Sequence, residues 1–211
     1  MTVLTIDFDI IMYLSLPTYN DFICKDYPFD DFVKDYPFMQ YCQADLMLYR
    51  DITGALLTLF QKLDKDQIYF INSHESIVQC VEDLKTFNLI NVDHHHDIGY
   101  GNTALKWDEK LESLECGNWV KYLFDMNKID SYIWISNSNS TCNDDVPNRY
   151  RPDEIIQIPY EIECLPNFFQ KADRVVICGS FWWIPPLYRP LFETWIEMYK
   201  SYYNIEEVEV L

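Results

Sequence analysis

The sequence predicts an α/β fold: a single three-layer domain with a mainly parallel sheet. Two observations predict it. Short, near-continuous runs of Val, Ile, Leu, Phe and Tyr alternate with helical stretches, as strands covered on both faces and joined by crossover helices do. The helical stretches carry apolar residues at three- and four-residue spacing, for example Leu56, Leu59, Phe60 and Leu63, so each turns one face to a sheet. With 49% hydrophobic residues in 211, the chain has enough apolar material for one well-buried domain.

In chain order, the first strand is expected over residues 2–8. A long aromatic and acidic insertion follows at about 10–42, with the near repeat Lys25-Asp-Tyr-Pro-Phe29 and Lys34-Asp-Tyr-Pro-Phe38. Pro28 and Pro37 forbid a continuous helix there, which leaves a lid or a packed loop. A helix over 44–63 leads to a strand at 67–72, a helix at 75–85 and a strand at 88–92. A helix at 117–126 precedes a strand at 131–136. Residues 137–153 are polar turn formers and read as a surface loop. A short run at 154–158 is a further strand candidate, and a strand at 174–178 and a helix at 187–203 complete the order. Nothing resembles a linker, so residues 1–211 form one domain.

Asp and Glu number 34 against 16 Lys and Arg, a net charge of −18. That balance argues against a nucleic-acid partner or an anionic membrane surface, both of which need clustered cations. It suits a cationic substrate or a bound metal, and solubility alone accounts for it equally well. No apolar run is long enough to span a membrane, and the start MTVLTIDFD lacks the basic and apolar regions of a signal peptide. Seven scattered cysteines without a C-x-x-C pair read as reduced, buried residues of a cytoplasmic protein. With five glycines and no G-x-G-x-x-G or Walker motif, dinucleotide and P-loop functions lose their support.

Three of the four histidines are consecutive, in Asn91-Val-Asp-His-His-His-Asp97 directly after the strand at 88–92. At a strand end, alternate residues point the same way, so Asp93, His95 and Asp97 can converge on one point. Carboxylate–imidazole–carboxylate is a ligand set suited to Mn²⁺ or Fe²⁺. His94 and His96 have the opposite parity and are available either to support the ligands from behind or for proton transfer. His74 stands just past the strand at 67–72, either as a ligand or as a first-turn residue of a helix capped by Ser73 or Ser76. Asp7 and Asp9 end the first strand; two carboxylates at i and i+2 repel unless a cation lies between them. All three clusters fall at carboxyl ends of strands, where open α/β sheets bind ligands. Together they offer four carboxylates and two imidazoles, enough for two divalent ions that share bridging carboxylates.

Asp93-x-His95-x-Asp97 resembles the D-x-H-x-D motif of the arginase-like ureohydrolases. His74 takes the place of that family's lone upstream histidine, and Asp7-Phe8-Asp9 resembles its D-x-D motif. In arginases the D-x-D comes after the other motifs, whereas here it comes first, and the late strand at 174–178 carries no aspartates. The chain is similar, over most of its length, to a group of small arginase-related proteins that begin with I-D-x-D and continue with D-x-H-x-D. Some of these are peptide arginases, which convert arginine residues of ribosomal peptides to ornithine and release urea.

The resemblance implies an arginase/deacetylase-like fold and a site for two Mn²⁺ ions held by Asp7, Asp9, His74, Asp93, His95 and Asp97. It implies an activated water that attacks a guanidinium carbon, and an arginine-containing peptide, with or without a leader, as partner. A proton must reach the departing amine, and His94, His96 and Glu75 are the candidates to shuttle it. Gly117-Asn-Trp119 resembles the family's G-N/S-W element; Asn118 either binds substrate or caps its helix. Trp182 or Trp183 is placed to wall the pocket and meet a guanidinium through its π face, or else to pack. Glu193 and Glu197 share one face of the last helix, either reaching the pocket or facing solvent. Two other functions compete. Asp93-His-His95 also matches the DHH-type manganese phosphoesterases, although that family wants a D-x-D soon after its first histidine and a basic, Gly-rich phosphate site. The third reading is a metal-stabilised binding protein without turnover.

Overall fold

The computed structural model describes residues 1–13, 43–99, 111, 113–136, 155–159, 165–181 and 184–211. The insertion beyond Tyr13, the loop at 137–153, Trp182 and Trp183 therefore lie outside the described residues. In chain order the strands are β1 (Thr2–Asp7), β2 (Met12–Tyr13), β3 (Gln43–Ala44), β4 (Ile68–Ile71), β5 (Phe87–Asp93), β6 (Ile129–Ser136), β7 (Ile155–Pro159) and β8 (Arg174–Cys178). The helices are α1 (Leu46–Lys62), α2 (Ile77–Cys80), α3 (Trp119–Asp125), α4 (Leu165–Phe169) and α5 (Arg189–Tyr203).

Six strands form one sheet in the order β4-β8-β1-β5-β6-β7, and every pairing in it is parallel. β2 and β3 make a separate antiparallel ribbon. Strand alternation splits the core into two layers. Leu4, Ile6, Ile90, Val92, Val175 and Ile177 face α1 and α5, whose Leu56, Phe60, Phe192 and Trp195 are fully buried. Val3, Leu89, Val176 and Cys178 face α2 and α3, with Ile77, Trp119 and Leu123. The domain thus has three layers, and β1 lies inside the sheet, with both faces covered, as its unbroken apolar run requires. Each such large side chain taken out of water contributes about 1.5–3 kcal/mol. Among the described residues no helix is long and apolar enough to cross a membrane.

α1 is fixed at its start by Asp45, whose Oδ1 accepts hydrogen bonds from the amides of Met47 (2.9 Å) and Leu48 (3.0 Å). α5 ends on Asn204 in the left-handed conformation, φ 51°. The helix expected over 75–85 is shorter than its pattern indicates. A 3-10 turn, His74–Ser76, leads into the single turn of α2, and the chain then leaves helical geometry at Val81. The cause is tertiary: Arg174 donates from Nη1 to the carbonyl of Cys80 (2.7 Å) and clamps the Asp83 carboxylate with both terminal nitrogens. That takes the carbonyl on which another helical turn would grow. The C-terminal segment pairs with β4, the amide of Leu211 donating to Phe70 O (3.0 Å) and that of Asn72 to Leu211 O (2.8 Å), so it covers an edge of the sheet.

Candidate metal centre

β1, β4, β5 and β8 run parallel, so their carboxyl ends open on one side of the sheet. The residues leaving those ends meet there. Asp7 closes β1, His74 follows β4 in the 3-10 turn, Asp93 closes β5 and Cys178 closes β8. Asp7, Asp9, His74, Asp93 and Asp97 are 4% exposed or less, and His95 is partly buried.

Convergence is not achieved by strand alternation, as the spacing predicts, because the chain leaves extended geometry immediately after each first aspartate. Asp9 sits in a 3-10 helix (Phe8–Ile11) whose start is capped by Asp7, its Oδ1 accepting from the amide of Asp9 at 3.0 Å. Asp93 Oδ1 likewise accepts from the amide of His95 at 2.8 Å, and this bends the loop so that His95 comes back over the strand end. Asp97 is brought round by a left-handed backbone, φ 52°, which an aspartate tolerates better than most residues.

Among the described residues three groups of possible ligands result, each with its atoms within 4.8 Å of one another: Asp9, Asp93 and His95; His74, Asp93 and Asp97; and Asp7, His74 and Cys178. Asp93 belongs to the first two. His95 Nδ1 lies 3.0 Å from Asp9 Oδ2 and 3.7 Å from Asp93 Oδ1. His74 Nδ1 lies 2.9 Å from Asp97 Oδ2, 3.3 Å from Asp7 Oδ2 and 3.7 Å from Asp93 Oδ2. Neighbouring donors on an octahedral ion at ~2.1 Å stand about 3 Å apart, so these spacings fit a shared cation. All six residues named from the sequence as ligands are therefore in one cluster.

The electrostatics point the same way. Among the described residues the ion pairs of these carboxylates are to His74 and His95. Four carboxylates less two imidazoles leave a deficit of two positive charges even with both rings protonated. Without a cation the cluster holds protons instead. Burial, reinforced by Asp9, pushes the Asp7 carboxyl up to about 7. Burial and the charges of Asp97, Asp7 and Asp9 lift Asp93 well above the carboxylate range. Burial also opposes charge on Asp97, but the His74 contact outweighs it and holds the carboxyl down at about 2. Asp9 Oδ1 and His74 Nε2 are buried without a hydrogen-bond partner. Such orphaned atoms are rare in folded proteins, and a metal would engage the Asp9 oxygen. The residues present thus fit a divalent metal.

A surrounding set of donors orients the ligands, and sequence spacing gave no means of finding most of it. Ser180 Oγ donates to Asp7 Oδ2 (2.7 Å), Asn91 Nδ2 to Asp93 Oδ2 (3.0 Å) and the Trp119 indole to Asp97 Oδ2. Thr5 in turn donates to Asn91. Such partners fix rotamer and charge in metal sites. Trp119 does carry a sequence signal, the G-N-W element, but through its tryptophan. Asn118 neither caps α3 with its side chain nor faces the cluster: its Oδ1 accepts from the Glu115 amide (2.8 Å) and its Nδ2 donates to Ser113 O (3.2 Å), closing the preceding loop.

The shuttle candidates separate. Glu75 is exposed on the 3-10 turn. His96 is locked in place: its Nδ1 accepts from the amide of Ile98 (3.1 Å) and its ring meets the edge or face of Trp134. His94 is buried with its ring 5.1 Å from that of His95. Burial drives both His94 and His96 down to about 3, so both are neutral near pH 7. Glu193 is exposed, and Glu197 pairs with Lys200 at 2.8 Å in solvent. No protein-family model, curated protein or solved structure matches this chain, which leaves the chemistry of the cluster as the ground for a functional reading.

Proposed function

We propose that the chain is a manganese-dependent hydrolase, arginase-like in fold and chemistry, that converts arginine residues of a peptide to ornithine and releases urea. The observation that carries this reading is that buried Asp93 belongs to two ligand groups at once, as a carboxylate shared by a pair of ions does. Such a pair, when bound, supplies an activated water and stabilises the charge that develops as it attacks carbon. Groups of two carboxylates and one imidazole suit Mn²⁺.

In this reaction water adds across the bond between Nε and the guanidinium carbon. Its oxygen stays on the carbon as urea, and Nε leaves as the primary amine of ornithine after it gains a proton. The chain's own part is to hold and orient: Ser180, Asn91 and Trp119 fix the carboxylates, and the acidic balance of −18 favours a cationic guanidinium over a phosphoester.

The test incubates manganese-loaded protein with an arginine-containing peptide and with free arginine, then measures urea and peptide mass. Urea with a matching mass change in the peptide is the expected result. Urea from free arginine alone would replace the peptide substrate by a metabolite. No urea from either, with metal confirmed in the protein, would reject the reaction and leave phosphodiesters and a non-catalytic metal-stabilised binder to be tested.

A further inference from the structure

We propose that Cys178 is a metal ligand through its thiolate, so that the His74 side of the centre has a nitrogen–oxygen–sulfur set, the His95 side stays nitrogen–oxygen, and the two ions differ in kind. This rests on the dimetal reading above. Asp7, His74 and Cys178 each offer a ligand atom within 4.8 Å of the other two, all three residues buried. The register explains why: Cys178 pairs with Asp7 across the β1–β8 boundary and with Ile71, three residues before His74, across β4–β8. His74 therefore stands in two cups, one with Asp93 and Asp97 and one with Asp7 and Cys178.

A buried cysteine is ordinarily a small apolar residue. Cys80 fits that description, packed with Ile77 and Val81 and belonging to no ligand group among the described residues. Cys178 does not fit it. Its sulfur meets Ser180 Oγ at 3.4 Å, and Ser180 also donates to Asp7, so one hydroxyl steers both a thiol and a carboxylate of the same cup. The Nε2 of His74, 4% exposed, has no hydrogen-bond partner. Thiolate is a soft donor that favours Zn²⁺, Co²⁺ or Fe²⁺ over Mn²⁺, whereas Asp9, Asp93 and His95 offer no such bias. On ligation the S–H bond breaks, its proton passes to water and a sulfur–metal bond forms, with no electron transferred.

Co²⁺ reports thiolate ligation directly. The metal-stripped full chain is loaded with Co²⁺, and metal content, near-ultraviolet absorption and cobalt-edge X-ray absorption are measured on the wild type, Cys178→Ser and Cys178→Ala. Two ions per chain are expected, with a sulfur-to-cobalt charge-transfer band and a sulfur neighbour at about 2.3 Å. Both variants should lose the band while keeping visible cobalt absorption, and their preference for Zn²⁺ over Mn²⁺ should fall by about tenfold or more. Cobalt bound by the wild type without a sulfur neighbour, or a band that survives both substitutions, overturns the thiolate ligand and leaves the dimetal reading intact. If neither variant folds, the sulfur neighbour in the wild type decides alone. A wild-type chain that binds no cobalt removes both.

Discussion

Asp93 is buried completely, accepts hydrogen bonds from Asn91 and the amide of His95, and in the metal-free protein its carboxyl is pushed well above the ordinary range by burial and three neighbouring carboxylates. An asparagine keeps the shape of that side chain but cannot carry the charge a metal needs, and its Nδ2 must face one of the two donors that Asp93 accepts from. Asp93→Asn should therefore lower metal-free stability by about 1–3 kcal/mol, while metal content drops and urea release falls by at least about a hundredfold. Thermal melts without metal, beside metal analysis, check this; metal content that stays at the wild-type level would mean that Asp93 serves the fold rather than the ions. Ser180 makes a second case at the same scale. It sits at φ 45°, a conformation costly for any residue with a β-carbon, in order to aim its hydroxyl at Asp7. Both Ser180→Ala and Ser180→Gly lose that hydroxyl, yet only glycine relieves the backbone. The glycine variant should be the more stable of the two by about 1 kcal/mol in denaturant melts, with equally weakened metal binding in both.

Among the elements, the strands were legible because burial on both faces leaves an uninterrupted apolar signature: β8 coincides with the expected 174–178, and β1, β4 and β5 differ from expectation by a residue or so at either end. The segment after His74 was not, since what stops it is Arg174, almost a hundred residues away, and no local pattern carries that contact. The site divides in the same manner. Its six acidic and imidazole side chains stand at or just past strand ends and stood out as costly side chains beside apolar runs. Ser180, Asn91 and Thr5 are commonplace polar residues whose importance comes only from register. Cys178 continues an apolar strand and reads as core until β8 is known to lie between β1 and β4. α3 illustrates how an element serves the site from outside it: Trp119 is fully buried in the core and donates from its indole to Asp97, and the amide of Val120 donates to Asp97 O at 3.1 Å. Trp119→Phe keeps most of the packing and removes the indole donor. Metal affinity, measured by calorimetric titration, should fall by roughly 10–100-fold with the secondary structure intact; an unchanged affinity would assign Trp119 to packing alone.

For the whole molecule, the cluster couples folding to pH, and the sign follows from which state holds more protons. Between about pH 4 and 6.5 two effects oppose each other in the metal-free chain. Asp7, raised from 3.8 to about 7, and Asp93, raised well above its ordinary range, keep protons that the unfolded chain has lost, so they weaken folding as pH rises. His94 and His96, lowered from 6.5 to about 3, refuse protons that the unfolded chain binds, so they strengthen folding over the same interval. Two against two leaves little net slope. Above 6.5 the balance breaks, because His94 and His96 no longer differ between the states. Burial resists charge on His74 and His95, but their acidic surroundings, with Cys178 at His74 and Asp9 at His95, hold both rings protonated well above 6.5. Each such proton costs about 1.4 kcal/mol per pH unit. Asp97, already ionised down to about 2, adds nothing in this window. Metal-free stability should therefore be nearly level from pH 4.5 to 6.5 and fall steeply toward pH 8.5. Ions that displace those protons invert the trend, since their binding tightens as pH rises. Melting curves with manganese and with chelator should diverge increasingly above pH 6.5; parallel curves across that range would show that the buried carboxylates and imidazoles do not take up metal at all.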